Sequence, residues 1–185
     1  MSLSLRPYRF ESADAERGTL AVPMNRAAPD RGVVELAFVR LPATAPSAGP
    51  PIGVLNGGPG LAGIRMGRGR LFPFFDALRA AGDVVLLDQR GSGESTPSLA
   101  CPDPLVLASD RVPTRDEVLH AVIDSTRRCA EQRRQDGVEV AAFNTRESAA
   151  DVADLARALG AEQVSLVGWS YGSHLAFAVL RYFPE

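Results

Sequence analysis

The sequence predicts an α/β fold, a mainly parallel sheet with helices on both faces, and three observations carry the prediction. "IGVLN" (52–56) and "DVVLLD" (83–88) are short continuous apolar runs, as expected of central strands covered on both sides. From residue 114 onward, amphipathic helical patterns alternate with such a run, the order that a parallel sheet with crossover helices requires. "SLVGWSYGSHLA" (165–176) passes from an apolar run through a glycine-flanked serine straight into helical spacing.

Taken in order, "GTLAVPMN" (18–25) and "VVELAFVRL" (33–41) read as strands of an antiparallel entry hairpin, the second with β-branched residues and alternation. The Pro-rich connector "LPATAPSAGPP" (41–51) leads to the two central runs, with a helix expected between them around Phe72 to Ala81. Residues 94–113 contain prolines and little periodicity, which predicts an irregular surface excursion. Thr114, with Glu117 three positions on, forms a capping box ahead of a helical segment in which Val118, Ala121, Val122 and Cys129 recur at helical spacing. Asn144 and Glu147 repeat the signal before "SAADVADLARALG", which Gly160 ends. Val164, Leu166 and Val167 then read as a buried strand, and Leu175, Ala176, Val179 and Leu180 as the inner face of a last helix.

Composition bounds the function classes. A chain of 185 residues, 45% hydrophobic and 23% charged, can bury one sizeable core, so residues 1–185 are expected to form one globular domain. A net charge of −2 gives no signal for a polyanion, so no nucleic-acid partner is expected. No apolar run approaches the ~20 residues of a membrane span. Arginines stand where "MSLSLRPYRF" would need the apolar core of a signal peptide, and the expected location is therefore cytoplasmic. Cys101 and Cys129 are too far apart for a C-x-x-C pattern and have no clustered partner ligands; no metal or cofactor is expected.

The chemistry converges on two stretches. Gly168-Trp169-Ser170-Tyr171-Gly172 fits the nucleophile elbow G-x-S-x-G, in which a strand turns sharply into a helix and exposes a serine hydroxyl; the glycines make room for the neighbouring strand and helix. "LNGGPG" (55–60) follows a strand, where a Gly-rich loop can bring backbone amides to a substrate. It matches no phosphate-binding pattern, and an oxyanion hole made by the Gly58 and Tyr171 amides fits better; a tight turn needing Gly and Pro is compatible with that role. The arginines of "GIRMGRGR" (63–70) read as a solvated loop, or as a cleft rim that meets a substrate carboxylate.

"LNGGPG", "LLDQRGSGES" and "LVGWSYGSHLAFAVLRYFPE", in this order and spacing, resemble the α/β-hydrolases of the prolyl aminopeptidase and tripeptidyl aminopeptidase group. The resemblance extends over "GTLAVPMNRAAPDRGVVELAFVRLPAT" and "FNTRESAADVADLARALG" and so covers most of the chain. It implies a serine hydrolase that releases residues, often proline, from peptide N-termini, with Ser170 as nucleophile and Gly58 in the oxyanion hole. An esterase of the same fold and a non-catalytic binding module are the alternatives. Asn56 stands where prolyl aminopeptidases usually have histidine, which is closer to the tripeptidyl branch. Asp88 and Arg90 of "DQRG" read as architectural. The two cysteines match positions often bridged in secreted relatives, whereas a cytoplasmic setting argues for free thiols.

An acyl-transfer serine needs a base and a carboxylate that orients it. His120 lies on a helix ahead of the serine, although the triad histidine of this fold follows it. His174, one helical turn beyond Ser170, is expected to face the helix's packing environment. The order Ser, acid, His places both missing members beyond Glu185, so the chain is expected to be the N-terminal portion of an incomplete hydrolase domain. It would depend on the missing C-terminal portion for activity on a peptide or small acyl substrate.

Overall fold

The computed structural model describes residues 2–101, 105–107 and 110–185. Six strands form one mixed sheet in the order β1-β2-β3-β5-β4-β6: β1 (Ser2–Phe10), β2 (Ala13–Pro23), β3 (Val33–Leu41), β4 (Ile52–Leu55), β5 (Val84–Leu87) and β6 (Ser165–Gly168). The antiparallel entry is larger than the predicted hairpin, because β1 adds a strand to β2 along its full length, Ser2 opposite Ala21 and Phe10 opposite Ala13. The sequence conceals β1: its arginines and Pro7 lie on a largely exposed edge strand, where a proline costs no ladder bond. Strands β5, β4 and β6 form the parallel half, with Val54 opposite both Leu86 and Val167.

Strand alternation sends side chains to two separate cores. Leu36 and Phe38 of β3, Val85 and Leu87 of β5, and Leu55 pack on one face with α4 (Thr145–Ala158) and α5 (Tyr171–Tyr182) through Val152, Leu155, Leu175 and Val179. Ala37, Val39, Val84, Leu86 and Val54 point to the other face, against Ile64 of α1 (Gly63–Met66) and Phe72 and Phe75 of α2 (Phe72–Leu78). Helices thus cover both faces of the sheet, as the alternating pattern requires. Strand β6 is only half-buried rather than fully buried, since it is the last strand of the sheet order. Leu180 is exposed; the inner face of α5 is instead Gly172, Leu175 and Val179, three and four residues apart.

The residues fall into two compact units, Met1–Ser98 with Ala142–Glu185, and Leu99–Ala141. The second unit holds α3 (Arg115–Gln135), which begins with the predicted capping box: the Glu117 N–H donates to the Thr114 hydroxyl, and the Thr114 N–H donates to the Glu117 carboxylate at 2.8 Å. Of its predicted apolar face only Cys129 is buried; Val122 is exposed and Val118 and Ala121 are half-buried. Cys129 is disulfide-bonded to Cys101, with a Cα separation of 5.3 Å, the arrangement the family resemblance implies. Such bonds persist in oxidising compartments and are rare in reducing ones, which weighs against the cytoplasmic expectation. Part of the predicted irregular excursion, residues 102–104 and 108–109, lies outside the described residues. No helix among the described residues is long and apolar enough to cross a membrane.

Candidate active site

The parallel pairing of β4 with β6 brings two chain turns to one sheet edge. Leu55 lies opposite Gly168, and the Trp169 N–H donates to the Leu55 carbonyl at 2.9 Å, so the loop after β4 and the turn after β6 emerge side by side. Between β6 and α5, Ser170 adopts φ 54 and ψ −120, a left-handed conformation that a non-glycine residue rarely takes. The turn is over-determined by its surroundings. The Gly172 N–H donates to the Trp169 carbonyl, the Ser173 N–H to the Ser170 carbonyl, and the Ser173 hydroxyl to the Gly168 carbonyl at 3.0 Å. Strain of this kind persists only where neighbouring structure enforces it, and it is concentrated at functional sites.

Both flanking glycines are sterically required. A Cβ at 168 would lie 2.6 Å from the Gly172 carbonyl oxygen, and one at 172 would lie 1.9 Å from that of Leu55. The elbow therefore sits on β4 closely enough to expose the Ser170 side chain at the tip. The Tyr171 N–H is the first of α5 and has no helical acceptor. The Tyr171 hydroxyl is hydrogen-bonded to that of Thr145 at 2.9 Å, which ties the start of α5 to the start of α4.

Facing Ser170 is the Gly-rich loop, which follows β4. Ser170 and Gly58 line one cleft of about 900 Å³, together with Asn56, Gly57, Trp169 and Arg65. The approach is closest at Gly57, where a Cβ would lie 2.8 Å from the Ser170 Cβ and 3.3 Å from its Oγ. The Gly57 N–H is already engaged, donating to Asn56 Oδ1 at 2.7 Å, so Gly58 supplies the next amide of the loop. Asn56 also donates from Nδ2 to the Ala62 carbonyl, and the Gln89 side chain donates to the Asn56 carbonyl. These side chains clamp the loop. Sequence reading gave Gly57 and Gln89 no role, although a polar residue just past a fully buried strand is a signal for such a clamp.

Asp88 and Arg90 do the structural work expected of them. Asp88, fully buried, accepts from the Ile64 and Glu94 N–H groups; burial pushes its carboxyl up from the usual range, opposed by the backbone N–H bonds. Arg90 donates through both Nε and Nη2 to Asp151, and through Nη1 to the Met24 and Ala142 carbonyls. Arg26 joins the same cluster through Glu147, Asp151 and Asp154. Burial opposes the charge of Arg26, but the three carboxylates hold its pKa above the usual range.

Neither histidine is hydrogen-bonded to Ser170 among the described residues. His174 is exposed, with its ring 5.8 Å from that of Tyr171; the expectation that it faces the packing side is corrected, because on the helix it is turned away from the side shared by the inner positions 172, 175 and 179. His120 is exposed on α3.

Comparison with known proteins fits this geometry. Over 176 residues the chain is 29% identical to "Serine protease Hip1" of Mycobacterium tuberculosis, covering 91% of this chain and 33% of that protein. The chain thus spans about a third of the length of that curated relative. Two solved structures share the fold: Cfl2 from Burkholderia cenocepacia, with a TM-score of 0.52 at 15% identity, and an epoxide hydrolase from an endophytic Streptomyces, with 0.51 at 20%. The chain covers 42% and 34% of them, and they cover 98% and 92% of it. The family model described as "alpha/beta hydrolase fold" matches residues 50–185, the span that carries the Gly-rich loop, the Asp88 and Arg90 clamps and the elbow; the chain belongs to that family.

Proposed function

We propose that the chain is the nucleophile-bearing portion of a serine hydrolase of the aminopeptidase type. Ser170 is the nucleophile, and the Gly58 and Tyr171 amides form the oxyanion hole. The observation that carries this reading is the left-handed Ser170 at the joint of β6 and α5, facing the Gly-rich loop. Oγ attacks the carbonyl carbon of the scissile bond, and the two amides hold the oxygen as it becomes an anion. The hydroxyl proton passes to a base and on to the departing amine as the C–N bond breaks, and water then hydrolyses the acyl-enzyme. The base and its orienting carboxylate come from a segment outside these 185 residues. Likeness to a protein named a serine protease supports peptide over ester substrates.

The test is turnover of an N-terminal proline amide and a short-chain ester by the longer polypeptide that contains this chain. Ser170→Ala should lower peptide turnover by roughly 10⁴-fold or more. Residues 1–185 alone should show no significant turnover. Activity indifferent to Ser170→Ala would sink the assignment. Serine-dependent activity of residues 1–185, lost equally in His174→Ala, would make His174 the base.

A further inference from the structure

We propose that the cleft selects substrates carrying a carboxylate, and that Arg65 is the residue that reads it. The proposal rests on the reading of the Ser170 cleft as the substrate site and names a substrate class for it.

The loop "GIRMGRGR" is built to hold arginines over the cleft. A Cβ at 63 would lie 2.1 Å from the Leu87 carbonyl oxygen, and one at 67 would lie 2.3 Å from Leu86 Cδ1. Both glycines are therefore pressed onto β5, and the short helix between them is seated on the sheet. Its anchor is Asp88, which accepts the Ile64 N–H at 2.9 Å. The arginines have divided roles. Arg68 is committed to the scaffold, since it donates to the Tyr8 hydroxyl at 2.8 Å and stacks 4.4 Å over the Phe10 ring. Arg65 also lines the cleft but, among the described residues, makes no ion pair and no side-chain hydrogen bond.

A guanidinium presents a fork of donors that matches a carboxylate, and leaving it unpaired in a cleft beside a candidate nucleophile makes it available to a ligand. No aspartate or glutamate is among the described residues lining the cleft, so Arg65 meets no competing carboxylate there. The N-terminus of α5 adds positive potential at the same place. An anionic group is therefore what this wall attracts, and on a peptide that group is a carboxylate, either at the C-terminus of a short peptide or on an acidic side chain.

Trp169 is the only tryptophan and lines the cleft, so its fluorescence reports occupancy without turnover. The chain is titrated with an alanine tripeptide as free acid, its C-terminal amide, and an amidated tripeptide with a central aspartate. At low salt at least one acid should bind about three- to tenfold tighter than the neutral amide, a preference that narrows at high salt. Which acid gains identifies the carboxylate. Arg65→Gln should abolish the preference, Arg65→Lys retain part of it, and Arg65→Glu invert it. Equal binding of all three peptides, or a preference that survives Arg65→Gln, overturns the role of Arg65 while leaving the cleft as a binding site. Absence of any response from Trp169 overturns both.

Discussion

At the scale of single residues, the elbow is governed by missing atoms. Gly172 has no room for a methyl group, because the obstacle is the Leu55 backbone oxygen of a fully buried strand, which cannot rotate aside. Gly172→Ala should therefore destabilise the chain by about 3 kcal/mol, with β4 and α5 forced apart. Gly160 offers the contrast, since its Cβ position is open and only its φ of +74 opposes a side chain. Gly160→Ala should cost about 1 kcal/mol. Urea denaturation of the two variants checks the ranking, and equal losses would remove the steric account of the elbow. Ser170 and its two glycines were legible in sequence because a five-residue spacing encodes them locally. Gly57, which approaches Ser170 most closely, was not, because its neighbour lies 113 positions away, and only the pairing of β4 with β6 brings them together.

Among the elements, α3 shows how a terminus is set by charge. The Arg111 guanidinium, the Thr114 N–H and the Thr114 hydroxyl all contact the Glu117 carboxylate and hold its pKa down at about 2, against an ordinary value of 4.5. A carboxylate depressed in the folded state contributes stability that is present above the ordinary value and lost as pH falls toward the depressed one. The start of α3 should therefore fray between pH 4.5 and about 2, and Glu117→Gln should remove that part of the pH dependence. A carboxyl-detected NMR titration of Glu117 with a midpoint near the ordinary value would contradict this. The capping box itself was readable from Thr114 and Glu117, because capping needs only local residues. The exposure of Val122 was not, since helical spacing says which residues share a face but not whether anything covers it. Strand β1 failed to announce itself for a related reason: an edge strand has no need of a continuous apolar run.

At the scale of the whole molecule, the disulfide is the one covalent tie across the second unit, linking residues 28 apart in sequence. By loop-closure entropy such a tie contributes about 3–4 kcal/mol to the unit that contains it. Reduction should speed amide hydrogen exchange across 110–138 and leave the protection of β2, β3 and β5 unchanged, as read by exchange mass spectrometry. Uniform loss of protection would show that the tie supports the sheet as well. The cluster of Arg26, Arg90, Asp151 and Asp154 also belongs to this scale: it joins residues up to 128 positions apart, and no local pattern of charge signals it.

The two-faced sheet has a consequence for how such a chain tolerates change. On β3 and β5, neighbours in sequence serve different cores, Phe38 and Leu87 one side, Val39 and Leu86 the other. Packing constraints are felt through direct contact, and distant substitutions add independently. A change of side-chain volume around Phe75 is thus felt by α1, α2 and the strand side chains beneath them, such as Val39 and Leu86, and one around Leu155 by α4, α5 and the strand side chains of the opposite face, such as Phe38 and Leu87. The backbone of the sheet is a partition between two separately packed cores, one beneath the short helix that carries Arg65 and the other beneath the helix that follows Ser170.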